Sequence, residues 1–236
     1  MREKEKVDVI ILCGGLGTRF QKVSSTCPKA LAPIGDKLFL DILIEQFIRA
    51  DYDRFILCTG HLSHKVIDRY ENHSKNIEIL FSEENEPRGT GGAIKHAEHF
   101  IQSENFFVAN GDSYCDIPLQ SFYEAHCEKK SLLSVAVTHA DLRHDTGKIF
   151  LEEKTNRILS FLEKNKEEKN YMNAGIYIFT KNVLEKIPQE KNFSLEHELF
   201  PFLIKEELYG FLFSEELIDI GTPERYEKAL EYFQVL

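Results

Sequence analysis

The sequence predicts an α/β fold of three layers, with a mostly parallel central sheet and a smaller antiparallel lobe added in the second half of the chain. Three observations carry this reading. Val7 to Cys13 is a nearly unbroken apolar run that stops at glycines, as a strand buried on both faces of a parallel sheet does. From there to Lys129, strand-like runs alternate with amphipathic segments of helical length, the pattern of βαβ crossovers. From Leu132 to Phe179 strand-like runs follow one another with little helix between them, as added antiparallel strands do.

The elements follow in order. Leu40, Leu43, Ile44, Phe47 and Ile48 recur at i, i+3, i+4, i+7 and i+8, one apolar stripe of a helix. "FILCTG" reads as a strand, Ser63 to Asn72 as a helix, "IEILFS" as a strand, Gly91 to Ile101 as a helix, "NFFVAN" as a strand and Leu119 to Lys129 as a helix. Ligands on such sheets sit at the carboxyl ends of the strands, so the loops after Cys13 and Ala109 form the expected functional edge. In the second half "LLSVAVT", "KIFLEE", "RILSFLE" and "NAGIYIF" read as strands, interrupted by the charge run Glu163 to Asn170, which reads as a solvated loop. "FSLEHELFPFLI" is expected to be helical from Ser194. Thr222 suits an N-cap and Pro223 the first position of a last helix, whose apolar face is Tyr226, Ala229, Leu230 and Phe233. Asp219 then lies at the end of an apolar segment, just before that helix. No linker interrupts the chain, and residues 1–236 read as one domain.

Composition narrows the function classes. A chain of 236 residues, 42% hydrophobic and 29% charged, can bury a sizeable core and carries no low-complexity tract. No apolar run approaches the ~18 residues of a membrane span, and the charged Met1 to Asp8 segment is no signal peptide, so no membrane partner and a cytoplasmic location are expected. Cys13, Cys27, Cys58, Cys115 and Cys127 lie far apart without CxxC pairing, which favours buried free thiols over disulfides or zinc. His61, His64, His73, His96, His99 and His126 form no metal-like cluster. A net charge of -10 argues against a nucleic-acid surface, which needs basic stripes; a single nucleotide needs only a few basic groups and backbone amides.

That points to "IILCGGLGTRFQKVSSTCPKALAPIGD", Ile10 to Asp36. A dinucleotide fingerprint starting at Gly15 fails at Phe20, where helix packing calls for glycine or alanine, and with it fails a dinucleotide-dependent oxidoreductase. A P-loop fails because no lysine follows the second glycine at the required spacing. A glycine-rich turn after a buried strand remains, with Arg19 four residues beyond Gly15. On its own it reads equally well as a tight strand-to-loop turn with an exposed arginine.

"GGLGTRF" followed by "PKALAPIGDK" resembles the signature of the sugar-1-phosphate nucleotidyltransferases, and further matches continue in order along nearly the whole chain. "EPRGTGGAI" (Glu86 to Ile94) is similar to the family's base-contacting segment and "NGD" (Asn110 to Asp112) to its first metal site. "FLEK" (Phe161 to Lys164) resembles its sugar-phosphate motif, "NAGIYIF" (Asn173 to Phe179) its sugar-contacting strand, and "IDIGTPERY" (Ile218 to Tyr226) its second metal site. Leu38 stands where the family usually has proline, Phe20 replaces the commoner leucine, and "EKN" departs from the commoner "EKP".

The resemblance implies a Rossmann-like, GT-A-like nucleotidyltransferase fold. About 1–130 would form the nucleotide-binding part, and about 131–236 the sugar-binding part with the second metal aspartate. It implies attack by a sugar 1-phosphate oxygen on the α-phosphorus of an NTP, releasing pyrophosphate and leaving an NDP-sugar. Such a transfer needs in-line positioning and charge neutralisation more than a protein nucleophile. Leu12, Gly14, Gly15, Gly17, Thr18, Glu86, Gly89, Thr90 and Gly91 would bind the nucleotide. Arg19 would fork onto the β/γ-phosphates and Lys29 would hold the α-phosphate region. Asp112 and Asp219 would bind Mg²⁺, which keeps waters and takes one or two carboxylates plus substrate. Lys164 would meet the sugar phosphate, and Glu163, Asn173 and the Gly147 backbone the sugar. Read singly, each aspartate serves as well as a helix cap, Lys29 as a surface lysine, and Glu163 with Lys164 as part of a solvated charge run.

Within the family the motifs look most like the D-glycero-α-D-manno-heptose-1-phosphate guanylyltransferases, which make GDP-heptose for bacterial lipopolysaccharide or capsule. GTP and the heptose 1-phosphate are the expected substrates. The alternatives are mannose-1-phosphate guanylyltransferase, a uridylyl-, cytidylyl- or thymidylyltransferase on another sugar 1-phosphate, and an inactive nucleotide-sugar-binding regulatory homologue. The last would be expected to lose Arg19, Lys29 or an aspartate, and this chain keeps all four. The sequence is compatible with a homo-oligomer and does not specify one.

Overall fold

The computed structural model of the chain describes residues 6–15, 27–72, 76–139, 148–152, 154–162, 171–189, 191–206 and 208–234. Its central strand is β1 (Asp8–Leu12). Val9 and Ile11 enter one core and Ile10 the other, each with no exposed surface, so the middle of the strand has no face for a polar residue. The short strands β2 (Pro33–Ile34) and β3 (Lys37–Leu38) form a hairpin ahead of α1 (Phe39–Arg49). β4 (Arg54–Thr59), α2 (Ser63–Tyr70), β5 (Glu78–Glu83), α3 (Gly89–His96) and β6 (Asn105–Asn110) continue the alternation. β4 and β6 flank β1, and β5 lies outside β4, all in parallel, which gives the order β5-β4-β1-β6.

Beyond β6 the sheet turns antiparallel, as expected. After β7 (Ser113–Tyr114) and α4 (Leu119–Lys129) come β8 (Leu133–His139), β9 (Lys148–Leu151), β10 (Ile158–Leu162) and the ten-residue β11 (Tyr171–Thr180). One half of β11 pairs with β6 and the other with β9, while β8 runs along it with a register shift between Asn173 and Tyr177. β12 (Tyr209–Phe213), which periodicity did not reveal, lies parallel to β8. Its start is bridged to Arg157 at the head of β10, so β8, β11, β9, β10 and β12 curl into a ring. β13 (Ile218–Asp219) pairs with β7 apart from the main sheet. The chain then enters α6 (Pro223–Gln234), after the one-turn α5 (Phe200–Leu203) earlier in the chain.

Three helices differ from expectation for identifiable reasons. Ile48 is 39% exposed and Ile42 is buried instead, because the buried face of α1 drifts around the axis. The segment predicted as helix from Gly91 to Ile101 begins at Gly89 and tightens to a 3-10 turn, Ala97–Phe100. The helix expected from Ser194 opens as a π turn, Leu195–Leu199, one turn before Pro201, whose missing N–H interrupts the regular ladder. Ser194 caps it by accepting the His197 N–H (3.2 Å), and Thr222 caps α6 by accepting the Arg225 N–H (3.4 Å).

The amino ends of the strands are locked. Asp8 and Arg54, both buried at the starts of β1 and β4, form an ion pair. Asp8 Oδ2 also accepts the backbone N–H groups of Gln102 (2.7 Å) and Ser103 (2.8 Å), and Arg54 Nη1 donates to the Phe100 carbonyl (3.0 Å). All five thiols are free; Cys127 is exposed, against the expectation of burial. Among the described residues no helix is long and apolar enough to cross a membrane.

Candidate active site

The strand order reverses direction beside β1: the chain winds outward through β4 and β5, then returns to place β6 on the other side. Loops leaving β1 and β6 therefore part at their carboxyl ends, the position where open α/β sheets bind ligands. Leu12 and Asn110 are register partners there, and the Gly111 N–H donates to the Leu12 carbonyl (3.0 Å). A Cβ on Gly111 would lie 2.5 Å from that carbonyl oxygen, so the crossing requires glycine. The gap is a cavity of about 400 Å³ lined by Leu12, Gly14, Gly15, Gly89, Thr90 and Asp112, six of the residues expected there, together with Glu84, Arg88 and Asn192. Glu86 lines a smaller cleft that adjoins it at Gly14 and Glu84.

One wall of the cavity is the start of α3, held by a strap from the second half of the chain. The Phe193 carbonyl accepts the N–H groups of Gly91 (2.8 Å) and Gly92 (3.1 Å), and the Phe193 N–H donates to the Arg88 carbonyl (2.8 Å). Thr90 Oγ1 accepts the Leu195 N–H (2.9 Å) and donates to Glu196 (3.1 Å). Gly89, at φ +71°, is where the strap comes closest: a Cβ there would meet Asn192 Oδ1 and the Phe193 oxygen at 2.7 Å. Gly91, also expected to bind nucleotide, is not among the residues lining this cavity, and its N–H donates to the Phe193 carbonyl.

Glu84 follows β5 on the same edge. Burial pushes its carboxyl up to about 7, against the lowering pull of a backbone hydrogen bond from Arg88 and of that residue's charge. Its Oε1 is buried and finds no partner among the described residues, and neither does Arg88 Nε. Cys58 also lines the cavity and Cys13 precedes Gly14. Burial raises the Cys13 thiol to about 12 and the Cys58 thiol well above its ordinary value, so neither supplies a thiolate nucleophile near neutral pH.

A charged cluster adjoins the cavity at Asp112. Asp112 and Asp219 are 107 positions apart in the chain, and the β7–β13 pairing brings their backbones together: Asp219 is opposite Ser113, and the Ile220 N–H donates to the Asp112 carbonyl (3.1 Å). Lys29 Nζ donates to Asp112 Oδ2 (2.5 Å). Asp219 Oδ1 accepts the Gly221 N–H (2.9 Å) and Arg225 Nη1 (3.3 Å). Around the point where a Gly221 Cβ would sit, Asp219 Oδ1 lies at 2.8 Å, Arg225 Nη1 at 3.5 Å and Lys29 Nζ at 3.6 Å. Two carboxylates and two cations thus converge, an oxygen-donor set of the kind a hard divalent cation shares with phosphate oxygens. No group of three or more metal-ligating side chains forms among the described residues.

Asn173 spends its side chain inside β11: Oδ1 accepts the Gly175 N–H (2.9 Å), and Nδ2 donates to the buried Tyr177 hydroxyl (2.7 Å). Gly17, Thr18, Arg19, Gly147, Glu163 and Lys164 lie outside the described residues. Glu84, Asn192 and Arg225 were not singled out from the sequence. The position of Glu84 after "IEILFS", on the same edge as Cys13 and Asn110, was the available signal for it.

A parallel sheet with a glycine-lined cavity at its switch point and acidic and basic groups beside it is the architecture of α/β proteins that bind nucleotides and phosphates. The chain belongs to the nucleotidyl transferase family, whose model matches residues 8–234. It is 34% identical over 230 residues to the D-glycero-alpha-D-manno-heptose 1-phosphate guanylyltransferase of Aneurinibacillus thermoaerophilus, covering 97% of this chain and 99% of that one. It is also 34% identical to the mannose-1-phosphate guanyltransferase of Saccharomyces cerevisiae, over 92% of this chain and 62% of that protein. The crystal structure of HddC from Yersinia pseudotuberculosis complexed with GMP-PN superposes with a TM-score of 0.83 at 35% identity, over 96% of this chain and 99% of that one.

Proposed function

We propose that this protein is a sugar-1-phosphate guanylyltransferase that joins GTP to D-glycero-α-D-manno-heptose 1-phosphate, giving GDP-heptose and pyrophosphate. Glu84 carries the choice of base. An ionised carboxylate only accepts hydrogen bonds, and Glu84 lines the cavity with its Oε2 beside the Gly14 turn, while its buried Oε1 has no partner among the described residues. The Watson–Crick edge of guanine presents two adjacent donors, N1–H and the 2-amino group. Adenine lacks both there, and a pyrimidine has at most one ring N–H flanked by carbonyls. A site built to accept two donors rejects a base without them, because its own buried group would be left unpaired. The heptose rests on the near full-length likeness to the Aneurinibacillus enzyme.

In this reading residues of about 1–130 bind the nucleotide, and about 131–236 bring the sugar and Asp219. The attacking group is already an anion, so no protein nucleophile is needed, in keeping with the high thiol pKa values beside the cavity. Arg19 holds the leaving pyrophosphate. Lys29 bears on the α-phosphate and screens it from the incoming anion, and Lys164 binds the phosphate of the sugar substrate, with Gly147, Glu163 and Asn173 on the sugar. Asp112 and Asp219 would hold Mg²⁺, which when bound neutralises phosphate charge. The product serves surface-polysaccharide synthesis from the cytoplasm.

The test is pyrophosphate release from a grid of GTP, ATP, CTP, UTP and dTTP against a panel of sugar 1-phosphates that includes mannose. Turnover highest for GTP with the heptose 1-phosphate is expected. Preference for another nucleotide overturns the reading of Glu84; preference for mannose 1-phosphate overturns the sugar alone; tight nucleotide binding with no turnover makes the protein a sensor.

A further inference from the structure

The floor of the site holds one more cation than the transfer has been given work for. Arg225 sits in the first turn of α6, its backbone fixed by the Thr222 cap, and its guanidinium reaches back to Asp219 Oδ1 (3.3 Å). The pair is largely withdrawn from water, with 19% of the arginine side chain and 13% of the aspartate side chain exposed. Lys29 and Asp112 make a second pair close by, at 2.5 Å, with the Asp112 side chain 46% exposed. Each carboxylate expected to meet a divalent cation therefore already has a resident cation, and both cations approach the same point above Gly221. A divalent ion settling on both aspartates competes with the guanidinium and the ammonium that hold them, because like charges in a partly desolvated site repel.

We propose that Arg225 is a placeholder cation: it pairs with Asp219 until a divalent cation takes that carboxylate, and then turns its freed fork onto a substrate phosphate beside Lys29. The inference rests on the metal reading of Asp112 and Asp219 above. It gives the site a near-neutral resting state and a gain of positive charge facing phosphate when the metal arrives. Arginine suits both roles, since its planar fork matches carboxylate and phosphate oxygens alike.

The two roles predict effects of opposite sign. Mn²⁺, an EPR-visible probe, is titrated into the nucleotide-free full-length protein, its Arg225→Met and Arg225→Lys variants, and Asp219→Asn as the control that loses the ligand. Removing the competing charge in Arg225→Met should tighten Mn²⁺ binding about threefold or more, while kcat/KM for the sugar 1-phosphate falls by roughly tenfold or more with the lost phosphate contact. Arg225→Lys keeps the charge, so its Mn²⁺ affinity should stay near wild type while the loss of the fork still lowers kcat/KM. If Arg225→Met binds Mn²⁺ as the wild type does, or more weakly, the arginine merely props Asp219 and the proposal is overturned. Tightened Mn²⁺ binding with unchanged kcat/KM overturns the phosphate role. A wild type that binds Mn²⁺ yet turns over no substrate pair overturns the proposed reaction and leaves the Mn²⁺ comparison standing.

Discussion

Replacing Glu84 by glutamine changes one oxygen for an NH₂ with little change of shape, beside a cavity where the buried Oε1 has no partner among the described residues. The native carboxylate, ionised, would accept both donors of guanine; glutamine accepts one and turns a donor toward the other. A hydrogen bond to a buried charged group contributes about 1.5–3 kcal/mol, and leaving a buried donor unpaired costs a similar amount. The expected loss is about 2–3 kcal/mol, or roughly 30- to 150-fold in kcat/KM for GTP. The base lies away from the reacting phosphorus, so the loss should fall on KM more than on kcat. ITP, which lacks the 2-amino group, sharpens the assay: the wild type should prefer GTP over ITP by about tenfold, and Glu84→Gln should level them. Burial holds the Glu84 carboxyl at about 7, and only its ionised form accepts both donors. Hence kcat/KM for GTP should climb as pH rises through about 7 in the wild type, and that limb should vanish in Glu84→Gln. Steady-state pyrophosphate release from pH 5.5 to 8.5 reads both effects. An unchanged GTP-to-ITP ratio together with an unchanged pH limb would refute the placement of guanine on Glu84.

Three other perturbations test the rest. Asp112→Asn and Asp219→Asn should each abolish metal-dependent turnover in the same assay, and an active variant removes that residue from the site. Removing Arg54 leaves buried Asp8 without its counter-charge, so Arg54→Met should cost about 3–5 kcal/mol and lower Tm by on the order of 10 °C in calorimetry. His126, buried in α4 with its ring nitrogens on Ser134, Asn105 and Thr180, is held neutral by burial with its pKa lowered to about 4. The unfolded chain binds that proton from about 6.5 downward, so this contribution to stability is complete above 6.5 and is lost as pH falls toward 4. The loss amounts to about 2 kcal/mol at pH 5, read as a shift in urea midpoint between pH 7.5 and 5 that His126→Gln should diminish.

What was legible in the sequence depended on how local its cause is. β1 and the Leu40 to Phe47 stripe of α1 announce themselves because burial on two faces, or on one stripe, leaves a repeat within a dozen residues. β12 left none. Gly210 looks like punctuation there, yet it lies inside the strand, where a Cβ would come 2.6 Å from Leu151 Cδ2 within the ring of strands. The same division runs through the site. Asp112 and Asp219 are joined by a two-residue pairing too short to impose any pattern, so only their motif flanks revealed them. Glu84 belongs to the run Glu83 to Glu86, which by composition reads as solvated; its raised pKa comes from burial by the fold around it. Arg225 occupies an ordinary helix-surface position by spacing and becomes part of the site through the turn at Gly221, which aims the first turn of α6 back at Asp219. Charged groups whose role is set by a partner distant in sequence carry no local signature, and the two that most sharpen this site, Glu84 for the base and Arg225 for the phosphates, are of that kind.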